Sequence, residues 1–324
     1  MTLRITHTRP ASAEEWDQAL EACPAATYYH SRNWAELWQE YSGQLEPSPV
    51  YVTFGDGVTA VVPVSLRKRY RGLVSVASLS AHNAYGGWLS GPGFTPGHAQ
   101  SLAGWLLDRY PDLDWRMTPF ESPPFDTAGE IQDPTSALDL SGGYDAVEER
   151  WKRDHGSMWG AVKQAKKFGV EITQSDRPEH WEAYADAYEE SVQRWGESAT
   201  GVVERRLFEV LRRRASGQET LWVALCDGEV AAGAVCLYAG SHVAYWHGAA
   251  RADYFSKRPV HLLLVTAIED ACRRGFAWFD FNPSGTHEGV RKFKKSFGAV
   301  EKASAVVRRK SRRLAMLERI RGGG

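Results

Sequence analysis

Residues 51–66, YVTFGDGVTAVVPVSL, align without a gap to residues 222–237, WVALCDGEVAAGAVCL, and this internal echo constrains the fold more than any other feature of the chain. Six of sixteen positions match: Val52/Val223, Asp56/Asp227, Gly57/Gly228, Ala60/Ala231, Val64/Val235 and Leu66/Leu237. Each copy is a pair of apolar runs around Asp-Gly, the pattern of a strand–turn–strand unit. Two unrelated hairpins can share a turn and a few valines. The match falls at a comparable depth in each half of the 324 residues, so tandem copies of one domain are the working expectation.

The elements around the echo read as mixed α/β in both halves. Ser12-x-x-Glu15 is a capping box for a helix running to about Glu21. A second helix after Ser31 carries Trp34, Leu37 and Trp38 on one face, and Thr59–Leu66 reads as one strand. The stretch from Tyr85 to Gly93 is too rich in Gly and Pro for a regular element. A helix near His98–Arg109 and a strand near Trp115–Thr118 precede the Pro-rich segment Pro119–Pro134, where the domain crossing is expected. Beyond it come a strand at Ser136–Leu140 and helices at about Tyr144–Asp154, Ser157–Phe168, Glu179–Trp195 and Val202–Arg214. The second hairpin and a strand at His242–Ala249 lead into a helix from Pro259 to about Arg274, bounded by a first-turn Pro and by Gly275 just past its end. The predicted domains are 1–134 and 135–307, followed by a basic tail at 308–324.

Charge is distributed unevenly. The net charge is −1, yet from Arg291 to Arg321 twelve Lys or Arg face two acids, Glu301 and Glu318, so this window carries +10 and the remainder −11. A basic end on a slightly acidic body fits a polyanionic partner such as nucleic acid; a solvated terminal helix is the alternative. No run of 18 uncharged apolar residues exists, and Met1–Pro10 lacks a long apolar stretch, which argues against a membrane span or a signal peptide. The four cysteines, Cys23, Cys226, Cys236 and Cys272, show no CxxC pairing and no clustering with histidine, so they read as buried thiols in a reduced cytosol with no metal site. The excess of Arg over Lys fits a GC-rich bacterial genome.

The block most informative about chemistry is Gly275–Ala299, GFAWFDFNPSGTHEGVRKFKKSFGA. A buried strand exits into a polar loop and then into Phe293-Lys294-x-x-Phe297-Gly298. Polar groups at the end of an α/β strand, beside a helix start, are the usual location of a ligand. This pattern resembles the C-terminal signature of the Fem-type transferases and their GNAT relatives. Further matches are Tyr29-His30-Ser31-x-x-Trp34, Pro63 within its strand, Tyr85-Gly86-Gly87, Leu138-Asp139-Leu140, Ala165-Lys166-Lys167-Phe168-Gly169-Val170 and Ala224-x-x-Asp227-Gly228-x-x-x-Ala232-Gly233. Together they span roughly residues 27–300 in the family's order.

The resemblance implies an α/β (mixed α+β) fold of two tandem GNAT-like domains, and transfer of an acyl group to a primary amine. In the Fem enzymes the donor is aminoacyl-tRNA and the acceptor a peptidoglycan precursor. Acyl transfer needs a positive group or N–H donors placed where the oxyanion develops. Lys294, at the family's Phe-Lys position, is assigned that part, with the Phe293 carbonyl holding the attacking amine and Asp280 orienting a cation or the amine. The alternative for Lys294 is a surface residue in a lysine-rich run, and that for Asp280 a cap on a neighbouring loop. His287 is the nearest loop group titrating near neutrality. Arg291 and Lys292 are candidates for donor phosphates, Tyr85, Tyr245 and Trp246 for the cleft wall, Asn282 for substrate contact, and Arg194 for acceptor phosphates.

The donor reading turns on one local pattern. GNAT enzymes that use CoA carry a glycine-rich loop cradling pyrophosphate at a helix start. Here the corresponding stretch reads Tyr254-Phe255-Ser256-Lys257-Arg258-Pro259, with no glycine, leaving Lys257 and Arg258 to bind phosphate through side chains. This favours aminoacyl-tRNA as donor substrate, without a cofactor, over acyl-CoA. Fem enzymes acting on the nucleotide-linked precursor carry a lysine four residues after the motif tryptophan. Trp38 occupies that place here, which shifts the expected acceptor toward a small amine or peptide. A non-catalytic RNA-binding module is the reading from another class.

Overall fold

The computed structural model describes residues 3–196, 202–285 and 287–322. The chain divides into two compact units, Met1–Pro134 with Lys302–Gly324, and Thr135–Glu301.

In the first unit the elements are β1 (Ile5–Pro10), α1 (Ala13–Ala22), α2 (Arg32–Ser42), β2 (Leu45–Pro47), β3 (Val50–Phe54), β4 (Thr59–Val62), β5 (Ser65–Arg69), β6 (Val74–Ser78), β7 (Tyr85–Gly86), β8 (Leu89–Ser90), α3 (Pro96–Arg109), β9 (Leu113–Met117) and β10 (Ile131–Gln132). The capping box at Ser12 is formed in both directions, so the start of α1 is fixed by the local sequence. On α2, Trp34, Leu37 and Trp38 are buried as the helical spacing requires.

The second unit contains β11 (Thr135–Asp139), α4 (Gly143–Asp154), α5 (Gly156–Lys167), β12 (Glu171–Ser175), α6 (Pro178–Trp195), α7 (Arg205–Arg214), β13 (Glu219–Cys226), β14 (Glu229–Ala239), β15 (His242–Ala250), α8 (Pro259–Arg273), β16 (Trp278–Pro283), α9 (Glu288–Ser296) and β17 (Val300–Lys302). Its sheet has the order β12-β13-β14-β15-β16-β11-β17. The core holds Trp151, Trp222, Phe279, Phe281, Phe297 and the apolar side of α8. The chain then returns to the first unit as β18 (Ala305–Arg309) and α10 (Arg312–Gly322).

Both echo segments are antiparallel hairpins, β3–β4 and β13–β14. In the second, Asp227 and Gly228 have φ of 54° and 83°, and Cys226 pairs with Glu229, the tight two-residue turn that Asp-Gly favours. The first differs from the single strand expected over Thr59–Leu66. Pro63, which has no N–H to give a ladder, ends β4, and the chain restarts as β5 in another sheet, β10-β18-β9-β6-β5-β2.

The C-terminal assignment needs correction. Residues from 302 onward leave the second unit, and 308–324 is not a separate tail. Val306 and Val307 pair with Arg116 and Trp115 in the first unit's sheet, Arg309 binds Glu130 at 2.5 Å, and Leu314 is buried beside Val74 and Val76. The apolar Ala305-Val306-Val307 run supplies the strand, and the surrounding arginines hid it from a charge-based reading. The last two residues of 308–324 lie outside the described residues.

Candidate active site

Strands β15 and β16 run parallel only over His242↔Trp278, Val243↔Phe279 and Ala244↔Asp280. Beyond that point β15 follows β14 to Ala250, while β16 follows β11 to Thr135↔Pro283, so a wedge opens between them. A bulge marks its start: Cys236 pairs with Tyr245 and Val235 with His247, leaving Trp246 as the extra residue. Tyr245, Trp246, His247 and Gly248 are consequently half-buried although they lie on an interior strand. A Cβ on Gly248 would stand 1.8 Å from the Tyr245 hydroxyl, so glycine is what lets that ring fold along its own strand.

The wedge is closed at its base by polar side chains. Asp280 is fully buried and accepts from the Thr135 hydroxyl at 2.5 Å and the Asn282 backbone N–H at 2.8 Å, with His242 Nε2 at 3.2 Å. It thereby ties β11, β15 and β16 together beneath the opening. Asn282 sits in the left-handed region (φ 61°), and its side-chain amide donates to the Tyr245 carbonyl at 2.8 Å. That carbonyl lies just past the last β15–β16 pair, so the Asn282 amide takes over from the missing ladder partner.

Lys294, delivered by α9, is buried (5% exposed) and donates to the carbonyls of Asn282 at 2.6 Å and Pro283 at 3.1 Å. Its ammonium is therefore fixed at the strand exit and is not one of the solvated lysines of the same run. The Phe293 carbonyl accepts from the Ser296 hydroxyl at 2.6 Å, so it is engaged within the end of α9. The Phe293 ring packs edge-on against Phe297 and His261. The Ser284 hydroxyl, next along the chain, is buried and meets no hydrogen-bond partner among the described residues.

Two histidines at this end of the unit were not singled out from the sequence. His261, in the first turn of α8, lies nearly flat on Phe297 (centroids 5.9 Å apart, 23° between planes), and burial, helped by Arg258, holds its pKa below the ordinary value. On the other side of β15, His247 Nδ1 is 2.6 Å from the Tyr184 hydroxyl, with the Tyr188 and Phe208 rings at 4.5 and 5.1 Å. Burial drives the Tyr184 phenol well above its ordinary pKa. A Cβ at Gly233 would stand 2.4 Å from this ring, so Gly233 makes the room. A histidine two residues after the helix-starting Pro259 was the available signal for His261. For His247 there was none.

The remaining candidates fall into separate groups. Arg194 donates to the Ala250 carbonyl at 3.3 Å and the Ser191 hydroxyl at 3.0 Å, and lies over the Phe255 ring at 4.9 Å, so it clamps the end of β15 to the turn before α8. That turn (Ala252–Lys257) is a short 3-10 helix in which Lys257 pairs with Asp227 at 2.6 Å. The exposed Arg258 follows in a left-handed conformation at the N-cap of α8. On the outer face of α9, Arg291 pairs with Glu301 at 3.2 Å and Lys292 with Glu288 at 2.7 Å. His287 is the half-buried N-cap of that helix. Tyr85 belongs to the first unit, buried edge-on against Tyr29.

Residues 153–295 match the family described as acetyltransferase (GNAT) domain. The chain is similar in structure to FemX, with a TM-score of 0.71 and 13% identity over 93% of this chain and 98% of that one. It is also similar to the C-terminal domain of a candidate lysylphosphatidylglycerol synthetase from Agrobacterium fabrum (0.59, 11%, 94% and 95%). A conserved protein of unknown function from Bacteroides thetaiotaomicron is comparable (0.57, 10%, 93% and 99%). No curated protein sequence is detectably similar. The second unit thus has the GNAT acyltransferase fold. The chain as a whole has the Fem-like, two-unit form of that fold.

Proposed function

We propose that the chain is a cytoplasmic N-acyltransferase that moves an aminoacyl group from aminoacyl-tRNA to a primary amine on a small molecule, peptide or cell-wall precursor. The observation that carries this reading is the Lys294 ammonium held by two carbonyls at the mouth of the β15–β16 wedge. In the reaction the amine nitrogen attacks the ester carbonyl carbon and the carbonyl oxygen becomes an oxyanion. The C–O bond to the ribose then breaks, the nitrogen gives up one proton and the departing ribose oxygen takes one. A cation already fixed in place stabilises the oxyanion without reorganising, an effect worth about 10²–10³ in rate for one donor.

The donor reading rests on the turn before α8. Its residues carry side-chain cations, Lys257 and Arg258, and no glycine to let backbone N–H groups close around a pyrophosphate. No helix among the described residues is long and apolar enough to cross a membrane. The match to the acetyltransferase (GNAT) domain family keeps acyl-CoA as the second reading, with the same two cations on its phosphates.

Filter binding of charged tRNA against salt tests the donor. A log–log slope of several units is expected, reduced by roughly one on Arg258→Gln, as for loss of one phosphate contact. Absence of tRNA binding, together with protection from heat by CoA, replaces this donor with acyl-CoA.

A further inference from the structure

Helix α10 is anchored to the first unit along one side only. Ser311, at its start, donates to Asp112 from its backbone N–H at 2.7 Å and its hydroxyl at 3.0 Å, and accepts from the Leu314 N–H at 3.2 Å. Leu314 is buried on Val74 and Val76, and Leu317 and Tyr70 pack against the same cluster. Glu318, the one acid of the helix, is taken up by Arg69 at 3.0 Å and Lys310 at 2.8 Å. The helix is therefore folded and fixed before it meets any partner.

Helical spacing gathers the other side chains on the opposite face. Met316 and Ile320, one turn apart, are 64% and 66% exposed, more than any other large apolar side chain among the described residues. Arg312 and Arg319 flank them on one side and Arg313 on the other, all exposed. The β5–β6 turn, joined to the same end of the unit through Tyr70, adds the exposed Leu73 and Arg71. None of these four arginines meets a carboxylate within ion-pair distance among the described residues.

Exposed apolar side chains among unopposed cations suit one kind of partner best. A two-fold contact with a second copy would set one arginine face against another. A nucleic-acid backbone would take the arginines but leave Met316, Ile320 and Leu73 in water, and none of the three is a ring on which a base stacks. At an anionic bilayer the apolar side chains enter the acyl boundary while the long arginine stems keep their charges among the headgroup phosphates. We propose that α10 and the β5–β6 turn form a docking face for an anionic phospholipid surface, with Met316, Ile320 and Leu73 inserted and Arg71, Arg312, Arg313 and Arg319 on the headgroups. The face lies wholly within the first unit and does not depend on the transfer reaction proposed above.

Co-sedimentation of the full chain with phosphatidylcholine vesicles, with and without phosphatidylglycerol, tests it. Binding is expected to the mixed vesicles, weakening as salt rises, and little to phosphatidylcholine alone. Arg313→Gln should lower the partition coefficient roughly fivefold, the scale of one cation at an anionic surface. Arg212→Gln, at an exposed arginine of the second unit, should lower it less than about twofold. Met316→Ser combined with Ile320→Ser keeps every charge and should lower it roughly tenfold through the lost apolar insertion. All of these side chains are exposed, so each variant should melt with the wild type. No binding to the mixed vesicles overturns the proposal. So does vesicle binding that the Met316/Ile320 double change leaves intact while Arg313→Gln weakens tRNA binding, which reassigns the face to nucleic acid. A dimer dissolved by the same double change, without vesicle binding, reassigns it to a second copy of the chain.

Discussion

The Lys294 ammonium donates to the Asn282 carbonyl at 2.6 Å, while the Asn282 side chain reaches across the wedge to the Tyr245 carbonyl at 2.8 Å. The cation and both strands of the opening are thereby connected through one residue.

Lys294→Ala is expected to reduce turnover at least ~100-fold, the scale lost with one oxyanion-stabilising group. It also leaves two carbonyls without this donor, a cost of about 1–3 kcal/mol that the folded unit should survive. Lys294→Arg, which keeps a cation, should recover part of the rate. Near-normal turnover in a folded Lys294→Ala protein, checked by circular dichroism, would remove Lys294 from the mechanism.

Two glycines distinguish packing from propensity. At Gly248 an added methyl meets the Tyr245 hydroxyl, so Gly248→Ala should destabilise by about 1–3 kcal/mol through overpacking. At Gly160, exposed in the middle of α5, an added methyl meets nothing, and Gly160→Ala should stabilise by about 0.5–1 kcal/mol. Urea melts of both proteins measure the two signs directly, and a harmless Gly248→Ala would contradict the packing described around Tyr245.

Stability should fall as the solution is acidified below neutrality. Burial lowers the pKa of both His82 and His261, with Arg258 adding to the effect at His261. The unfolded chain therefore takes up these protons first. Their contribution is complete above the ordinary histidine value of about 6.5 and is lost as pH falls through the lower folded values. Thermal melts at pH 7.5 and 5 should show the drop. His261→Phe, which keeps a ring on Phe297, should show a smaller one; an unchanged drop would mean that His261 is not protonated on unfolding in this range.

Removal of residues 308–324 should lower the stability of the first unit, because it takes away Arg309 from Glu130 and Leu314 from Val74 and Val76. The charge pattern had suggested a basic tail outside both domains, suited to a polyanionic partner. A truncated protein that melts at the wild-type temperature would restore that reading.

What could be read in the sequence was what is local. The Ser12 capping box, the Asp227-Gly228 turn, the helix bounded by Pro259 and Gly275, and the placing of Lys294 after a strand exit all depend on residues within a few positions of one another. The wedge, the bulge at Trp246 and the return of β18 to the first unit arise from which strands pair, and pairing between distant segments leaves no periodic trace. Asp280 illustrates the limit. The sequence left it between orienting a cation or the amine and capping a neighbouring loop; its partners Thr135, 145 positions away, and His242, which make it a buried link between strands, were not visible locally. His261 and His247 are isolated in sequence and acquire interest only from the rings around them.

The central claim is transfer from aminoacyl-tRNA at the Lys294 site. Its most direct measurement mixes the purified chain with tRNA carrying labelled amino acids and a panel of primary amines and peptides, then follows label into alkali-stable amide. Amide formation is expected, and it is abolished by prior ribonuclease treatment and by Lys294→Ala. Amide formation from acetyl-CoA, undiminished by ribonuclease and with no transfer from charged tRNA, would contradict it.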